Sequence, residues 1–254
     1  MRVEKGETKL TVDHNQGELT VLHPFLGPNT YRELQREAGS QGLKMATLPE
    51  AASVAHDAYV VDPKNQYSKE IQKTMENRWI YTATKSLWVP NKGVHVFPDD
   101  GSIELPEALG DRIGTISPNE LEQFLALLEG HSDLVNFAEF GFDTGRLGSS
   151  LKLATNNYMK ALAGQEGAEK LAEVSDKHKV KKPYLWAHQN VNEPLVTVSR
   201  LDSVRGFGIG LVIVGDGLGD NSISNAFGVR ETGGASWANA IFFTTFINNL
   251  FLLF

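Results

Sequence analysis

Residues 8–23, TKLTVDHNQGELTVLH, alternate apolar and polar positions on either side of Asn15-Gln16-Gly17, which predicts two short strands joined by a hairpin turn. Gly27-Pro28 breaks that pattern, and YRELQREA then reads as a helix, with Asn29 or Thr30 as its cap and Glu33 placed for a capping box from Thr30. Pro49 suits the first turn of a second helix through PEAASVAHDAYV. A third, roughly 67–78, spaces Ile71 and Met75 by one turn and leads into WIYTATKSLWV, whose alternation predicts a strand. NKGVHVFPDDGSIEL predicts a strand, a DDG turn and another strand. Ser117-Pro118-Asn119-Glu120 opens an amphipathic helix that runs to Leu128 and closes at Gly130. Residues 134–142 predict a strand, and a helix follows from about 149 to 179, with Gly164 or Gly167 as its break point.

From Pro194 the character changes. The 37 residues to Arg230 are rich in Gly, Val, Ile, Asp and Ser, show no helical period, and contain no Lys, Glu, Gln, Met or Trp. Over the whole chain those five residue types total 50; 48 lie in the first 193 residues, and only Glu231 and Trp237 lie beyond. The last stretch, from Ala238 to Phe254, is uncharged and 17 residues long, short for a membrane span, and reads as a buried strand or an exposed adhesive segment; no membrane insertion is expected of it. Together these patterns predict one mixed domain over residues 1–254, helical mostly in its first two-thirds and β-rich late, with no internal repeat.

Composition narrows the chemistry. A chain of 254 residues with 41% hydrophobic content can build a substantial core. The net charge of −7 argues against a surface that neutralises phosphates, so no nucleic-acid partner is expected. The absence of cysteine removes disulfides, thiolate metal sites and a Cys nucleophile. The opening MRVEKGETKL lacks the apolar run of a signal peptide. LVIVGDGLGD offers Gly215, Gly217 and Gly219, but Asp220 stands at the place of the last fingerprint glycine and NSISNAF is a poor helix start, so a dinucleotide loop is rejected. The seven histidines show no zinc spacing, Asp99-Asp100-Gly101 reads as a turn, and no GxSxG elbow or P-loop occurs. No catalytic residue, metal site or cofactor is expected.

The five residue types missing late in the chain share a property of the genetic code. An Asn codon, with neither, one or both of its adenines replaced, encodes fifteen amino acids and never Lys, Glu, Gln, Met or Trp. Residues 206–229, GFGIGLVIVGDGLGDNSISNAFGV, use only the reachable set, as do residues 238–254. A Gly-rich β segment also disfavours Lys, Glu, Gln and Met, so composition alone leaves both explanations open.

Several segments carry a resemblance. LKMATLPE with SVAHDAY, YSKEIQKTMENRWIYTATKSLWVPNKGVHVFPD and GAEKLAEVSDKHKVKKPYLW resemble a group of archaeal and candidate-phylum bacterial proteins. SRLDSVRG and GLVIVGDGLGDNSISNAFGVRE are similar to their Gly-rich ending, itself like a C-type-lectin-like domain. Some of that group resemble the variable proteins of diversity-generating retroelements, in which adenine-directed reverse transcription rewrites a C-terminal stretch. The resemblance extends to Glu231; the tail beyond departs from the pattern. It implies an α+β, C-type-lectin-like fold with helical insertions, and a ligand-binding variable region within residues 194–254.

On such a scaffold, variable side chains occupy one exposed face while their neighbours anchor inward. Leu211, Val212, Val214, Phe227 and Val229 read as anchors, and Arg205 and Arg230 as scaffold. Phe207, Ile209, Ile213, Leu218, Asp220, Asn221, Ser222, Ile223 and Asn225 are the candidates for display, with Asp216 suited to either role; Ile209 and Ile213 fit core packing equally well. A calcium-dependent sugar site would show EPN or QPD followed by WND, but Glu193-Pro194 is followed by Leu195 and no WND occurs. The expectation is a non-enzymatic binding protein for an unidentified protein ligand on a host or partner cell, displayed on a cell surface or virion. The alternatives are a fixed-specificity adhesion module of the same fold and an enzyme of unknown reaction.

Overall fold

The computed structural model describes residues 2–4, 8–178, 182–204 and 210–230. The chain starts with strands β1 (Arg2–Glu4), β2 (Thr8–His14) and β3 (Gly17–Asn29), helix α1 (Tyr31–Ser40) and the short β4 (Lys44–Met45). Helix α2 (Leu48–His56) runs into a π-helical turn at Asp57–Val61, followed by α3 (Gln66–Asn77), β5 (Ile80–Val89) and β6 (Gly93–Pro98). Next come α4 (Glu107–Gly110), β7 (Gly114–Thr115), α5 (Pro118–Glu129), β8 (Asn136–Glu139) and β9 (Gly145–Arg146). Helices α6 (Ser150–Thr155) and α7 (Asn157–Lys177) precede the late strands β10 (Tyr184–Trp186), β11 (Leu195–Val204), β12 (Gly210–Gly217) and β13 (Ser224–Arg230).

Local chemistry explains most of these boundaries. Asn15 and Gln16 have φ of +46° and +62°, the left-handed pair that a two-residue hairpin turn with the right strand twist requires. Three helices open with capping boxes: the backbone N–H groups of Thr30, Thr47 and Ser117 donate to Glu33, Glu50 and Glu120 at 3.3, 2.7 and 2.8 Å. The predicted long helix divides, because Asn156 leaves helical geometry to cap α7 by accepting from the Met159 N–H at 3.1 Å. Gly164, at φ +70°, kinks α7 further on. The strand expected after the DDG turn does not form. Asp100 instead closes an Asx turn, accepting from the Ser102 N–H at 3.0 Å, and Asp99 is drawn into the core.

The sheet runs β1-β2-β3-β13-β5-β11-β12-β10-β9, with β6 and β8 continuing from β5 and β13 parallel to β5. The last strand among the described residues therefore inserts between the amino-terminal hairpin and β5. All ten residues of β5 are buried, although its sequence alternates. Both faces of the sheet are covered there, so there is no solvent side for the alternate residues to occupy. Ile80 and Trp88 join a core with Leu48, Ala52, Tyr158, Leu171 and Ile213 beneath α2 and α7. Tyr81 and Ala83 pack with Tyr31 and Leu34 of α1, and Leu87 and Val89 with Phe124 and Leu128 of α5.

Lys85 lies within this strand, 1% exposed. Its Nζ pairs with Asp99 Oδ2 at 2.8 Å and donates to the Gly110 carbonyl. The same carboxylate oxygen accepts from Tyr31 Oη and Gln35 Nε2, each at 2.7 Å. Burial and the adjoining Asp99 carboxylate hold the Tyr31 hydroxyl well above its ordinary pKa, so it remains a donor. Removing one partner of a buried ion pair strands the other charge. Asp99→Ala should therefore lower unfolding free energy by about 3–5 kcal/mol, whereas Lys85→Met combined with Asp99→Asn should recover most of the loss. Urea denaturation measures both, and a loss below about 1 kcal/mol for Asp99→Ala, the scale of a surface pair, would contradict this role.

Candidate functional site

Strand β12 lies between β11 and β10, and β13 lies between β3 and β5. Both run parallel to β5, and residues 218–223 connect them, passing Val198, Tyr31 and Tyr81. Gly215, Gly217 and Gly219 serve packing: a Cβ at Gly215 would stand 1.9 Å from Tyr158 Oη, and one at Gly217 would stand 2.8 Å from the Val198 carbonyl. Gly219 takes φ +75° against Tyr31 and Ile113. These contacts account for the glycines that imitate a nucleotide loop.

The connection is fastened at several points. Gly219 O accepts from the Tyr31 N–H at 3.0 Å, and the Asn221 N–H donates to Tyr81 Oη at 3.2 Å. Asn221 Oδ1 accepts from the Ile223 N–H at 3.0 Å, an Asx turn, and Ile223 O accepts from Arg78 at 3.5 Å. Leu218 and Ile223 are 53% and 57% exposed; Asp220 and Ser222 are also exposed, and Asp216 and Asn221 are half-buried. Six of the candidates for display thus sit together on or beside one connection.

Two candidates require correction, and others lie outside the described residues. Ile213 is fully buried with Leu201 and Leu211, because α7 covers that face of β12. Asn225 is 8% exposed and structural: its Nδ2 donates to Leu26 O at 2.8 Å and its N–H to Trp79 O at 2.9 Å, tying β13 to β3 and to the start of β5. Leu211, Val212, Val214, Phe227 and Val229 are buried, matching their reading as anchors. Phe207, Ile209, Arg205 and the tail 231–254 lie outside the described residues.

The sequence reading missed the flank of this surface. Arg200 on β11 lays its guanidinium 4.3 Å from the centroid of the Trp79 ring and 6.0 Å from that of Tyr81. Trp79 and Arg78 directly precede β5, far from Arg200 in sequence, and no local pattern joins them. Across the sheet Arg200 pairs with Val214, and Val214 with Trp186, which is 49% exposed. Residues directly opposite in a sheet share a face, so one row carries Arg200, Val214 and Trp186.

Elsewhere, two clefts of about 440 and 310 Å³ flank the start of α7 and share Glu139 and Asn157. None of the candidates for display lines them. Among the described residues no group of three or more His, Asp or Glu is placed to hold a metal ion, and no helix is long and apolar enough to cross a membrane. The histidines are engaged locally, as in His14 with Ser53 at 2.9 Å, His56 with Glu173 at 2.9 Å and His23 with Glu70 at 2.7 Å.

No protein-family model matches the chain, and no curated protein matches it. One solved structure does: a protein in which the C-type lectin fold accommodates massive sequence variation in Nanoarchaeota. It aligns with TM-score 0.53 and 14% identity over 86% of this chain and 100% of that one. The chain has the C-type lectin fold. Within this lectin fold the β12–β13 connection rests on α1, β5 and β11, through Tyr31, Tyr81 and Val198.

Close to the site, Asp202 on β11 is 6% exposed. Burial pushes its carboxyl up to about 7 from an ordinary 3.8, opposed by the Ser203 N–H at 2.6 Å and by Arg200. A carboxyl that ionises later in the folded state contributes stability that is full below the unfolded pKa and lost as pH rises through the folded one. Asp202→Asn keeps the acceptor for Ser203 and removes that loss. It should leave the melting temperature nearly unchanged near pH 4 and raise it by several degrees at about pH 8, where one pKa unit is worth about 1.4 kcal/mol. Thermal melts at both pH values test this; equal effects at both would contradict it.

Proposed function

We propose that this lectin-fold chain is a non-enzymatic binding protein whose C-terminal surface is hypervariable, diversified by a retroelement, and directed at protein ligands on a host or partner cell. The observation that carries the reading is that the exposed connection falls inside the stretch of restricted composition. The stretch confined to amino acids reachable from Asn codons, residues 206–229, includes the whole connection that exposes Leu218, Asp220, Ser222 and Ile223. The strands, helices and ion pair beneath it come mainly from the region where Lys, Glu, Gln, Met and Trp are used freely. Supporting the reading is the likeness to a solved protein in which the same fold accommodates massive sequence variation. An exposed mixture of apolar and small polar groups on a fixed frame is also the composition of a protein-binding patch.

The coding locus provides the test. The expected result is a neighbouring reverse transcriptase and a template repeat that differs from codons 206–229 only at adenines. Chains from related loci should then differ at positions such as 218, 220, 222 and 223 while Lys85, Asp99 and Tyr31 stay the same. Complete flanking DNA with neither element, and related chains that differ evenly along their length, would replace this reading with an adhesion module of fixed specificity.

A further inference from the structure

We propose that the surface around the β12–β13 connection recognises a protein segment presenting a single carboxylate among apolar residues, with Arg200 as its receptor; this rests on the binding role proposed above. Arg200 is held by its stack on Trp79, and its Nε is buried without a hydrogen-bond partner. Its charge acts on the Asp202 carboxyl two residues along β11, but among the described residues no hydrogen bond or ion pair engages its guanidinium. A guanidinium is a planar fork of donors matched to a carboxylate, and an aromatic shelf fixes its plane before a ligand arrives.

The neighbours define what accompanies the carboxylate. The site of a Cβ on Gly217 is 3.8 Å from Arg200 Nε, which places the Leu218 backbone beside the guanidinium. On the other side Arg78, next to Trp79 in sequence, donates to Ile223 O at 3.5 Å. Leu218 and Ile223, at the two ends of the connection next to these contacts, are both more than half exposed. Asp216 and Asp220 add negative charge to the same segment, and the chain carries −7 overall. That field disfavours a polyanion such as nucleic acid but admits one carboxylate held against a cation and enclosed by apolar contacts.

Panning the full chain against a random-peptide display library tests this, with recovered peptides re-measured on Leu218→Asp, Ile223→Asp and Arg200→Gln chains. The expected peptides depend on Leu218 and Ile223, carry Asp or Glu beside apolar residues, and weaken about tenfold or more when that residue becomes Asn or Gln, the scale of a hydrogen bond to a charged group. They should weaken equally on Arg200→Gln, and a short DNA duplex should not displace them. The exchange on the peptide leaves the protein unaltered, so it reads the contact even if Arg200→Gln perturbs the fold. Peptides that require Leu218 and Ile223 but bind the carboxylate and amide forms alike would overturn the carboxylate proposal and leave the binding role standing. Peptides that ignore the connection, or a library that yields no binder, would overturn both. Displacement by DNA would overturn the proposal in favour of a polyanion site.

Discussion

Lys85 puts a positive charge into a strand closed to water along its whole length, and a charge in that position persists only if its surroundings are organised around it. Asp99 supplies the counter-charge from the chain just after β6, Gly110 supplies a carbonyl at the end of α4, and Tyr31 and Gln35 bring α1 to the same carboxylate. Elements far apart in sequence thus converge on one pair. Tyr31 also contributes its backbone N–H to Gly219, so the ionic centre and the exposed connection share a residue. The position of the exposed connection follows from where this buried pair places α1.

What could be read in the sequence divides along the range of the forces involved. The hairpin, the three boxed helices and the helix over Gln66–Asn77 are set by contacts within a few residues, and residue order reveals them. The second strand after Asp100 was expected from turn chemistry and failed because Asp99 is claimed by a lysine fourteen positions earlier. The alternation of β5 was equally visible, but its meaning depended on a second covered face, which only tertiary packing supplies.

The candidate site shows the same division. Leu218, Asp220, Ser222 and Ile223 stand out because Gly and Asp punctuate the chain around them, and they are exposed. Ile213 and Asn225 were indistinguishable by type from displayed residues; a helix over one and a bond to Leu26 across a neighbouring strand decide otherwise. Arg200 and Trp79 were invisible as a pair, since a cation resting on a ring over that separation leaves no periodic trace. With three Arg, three Asp and one Glu from Pro194 onward, the late region is nearly neutral, while most of the acidic excess sits in the first 193 residues.

Most of the bonds that fasten residues 219–223 end on main-chain atoms: Gly219 O, the N–H groups of Asn221 and Ile223, and Ile223 O. Main-chain atoms are common to every amino acid except proline, so the clamp is blind to the side chains standing at 218, 220, 222 and 223. Drift at those positions draws little on the folding free energy of the molecule. A lineage that explored them widely would keep its thermal robustness, and deleterious load would collect instead at Gly219, Asn221 and Tyr31, where the clamp needs a particular residue.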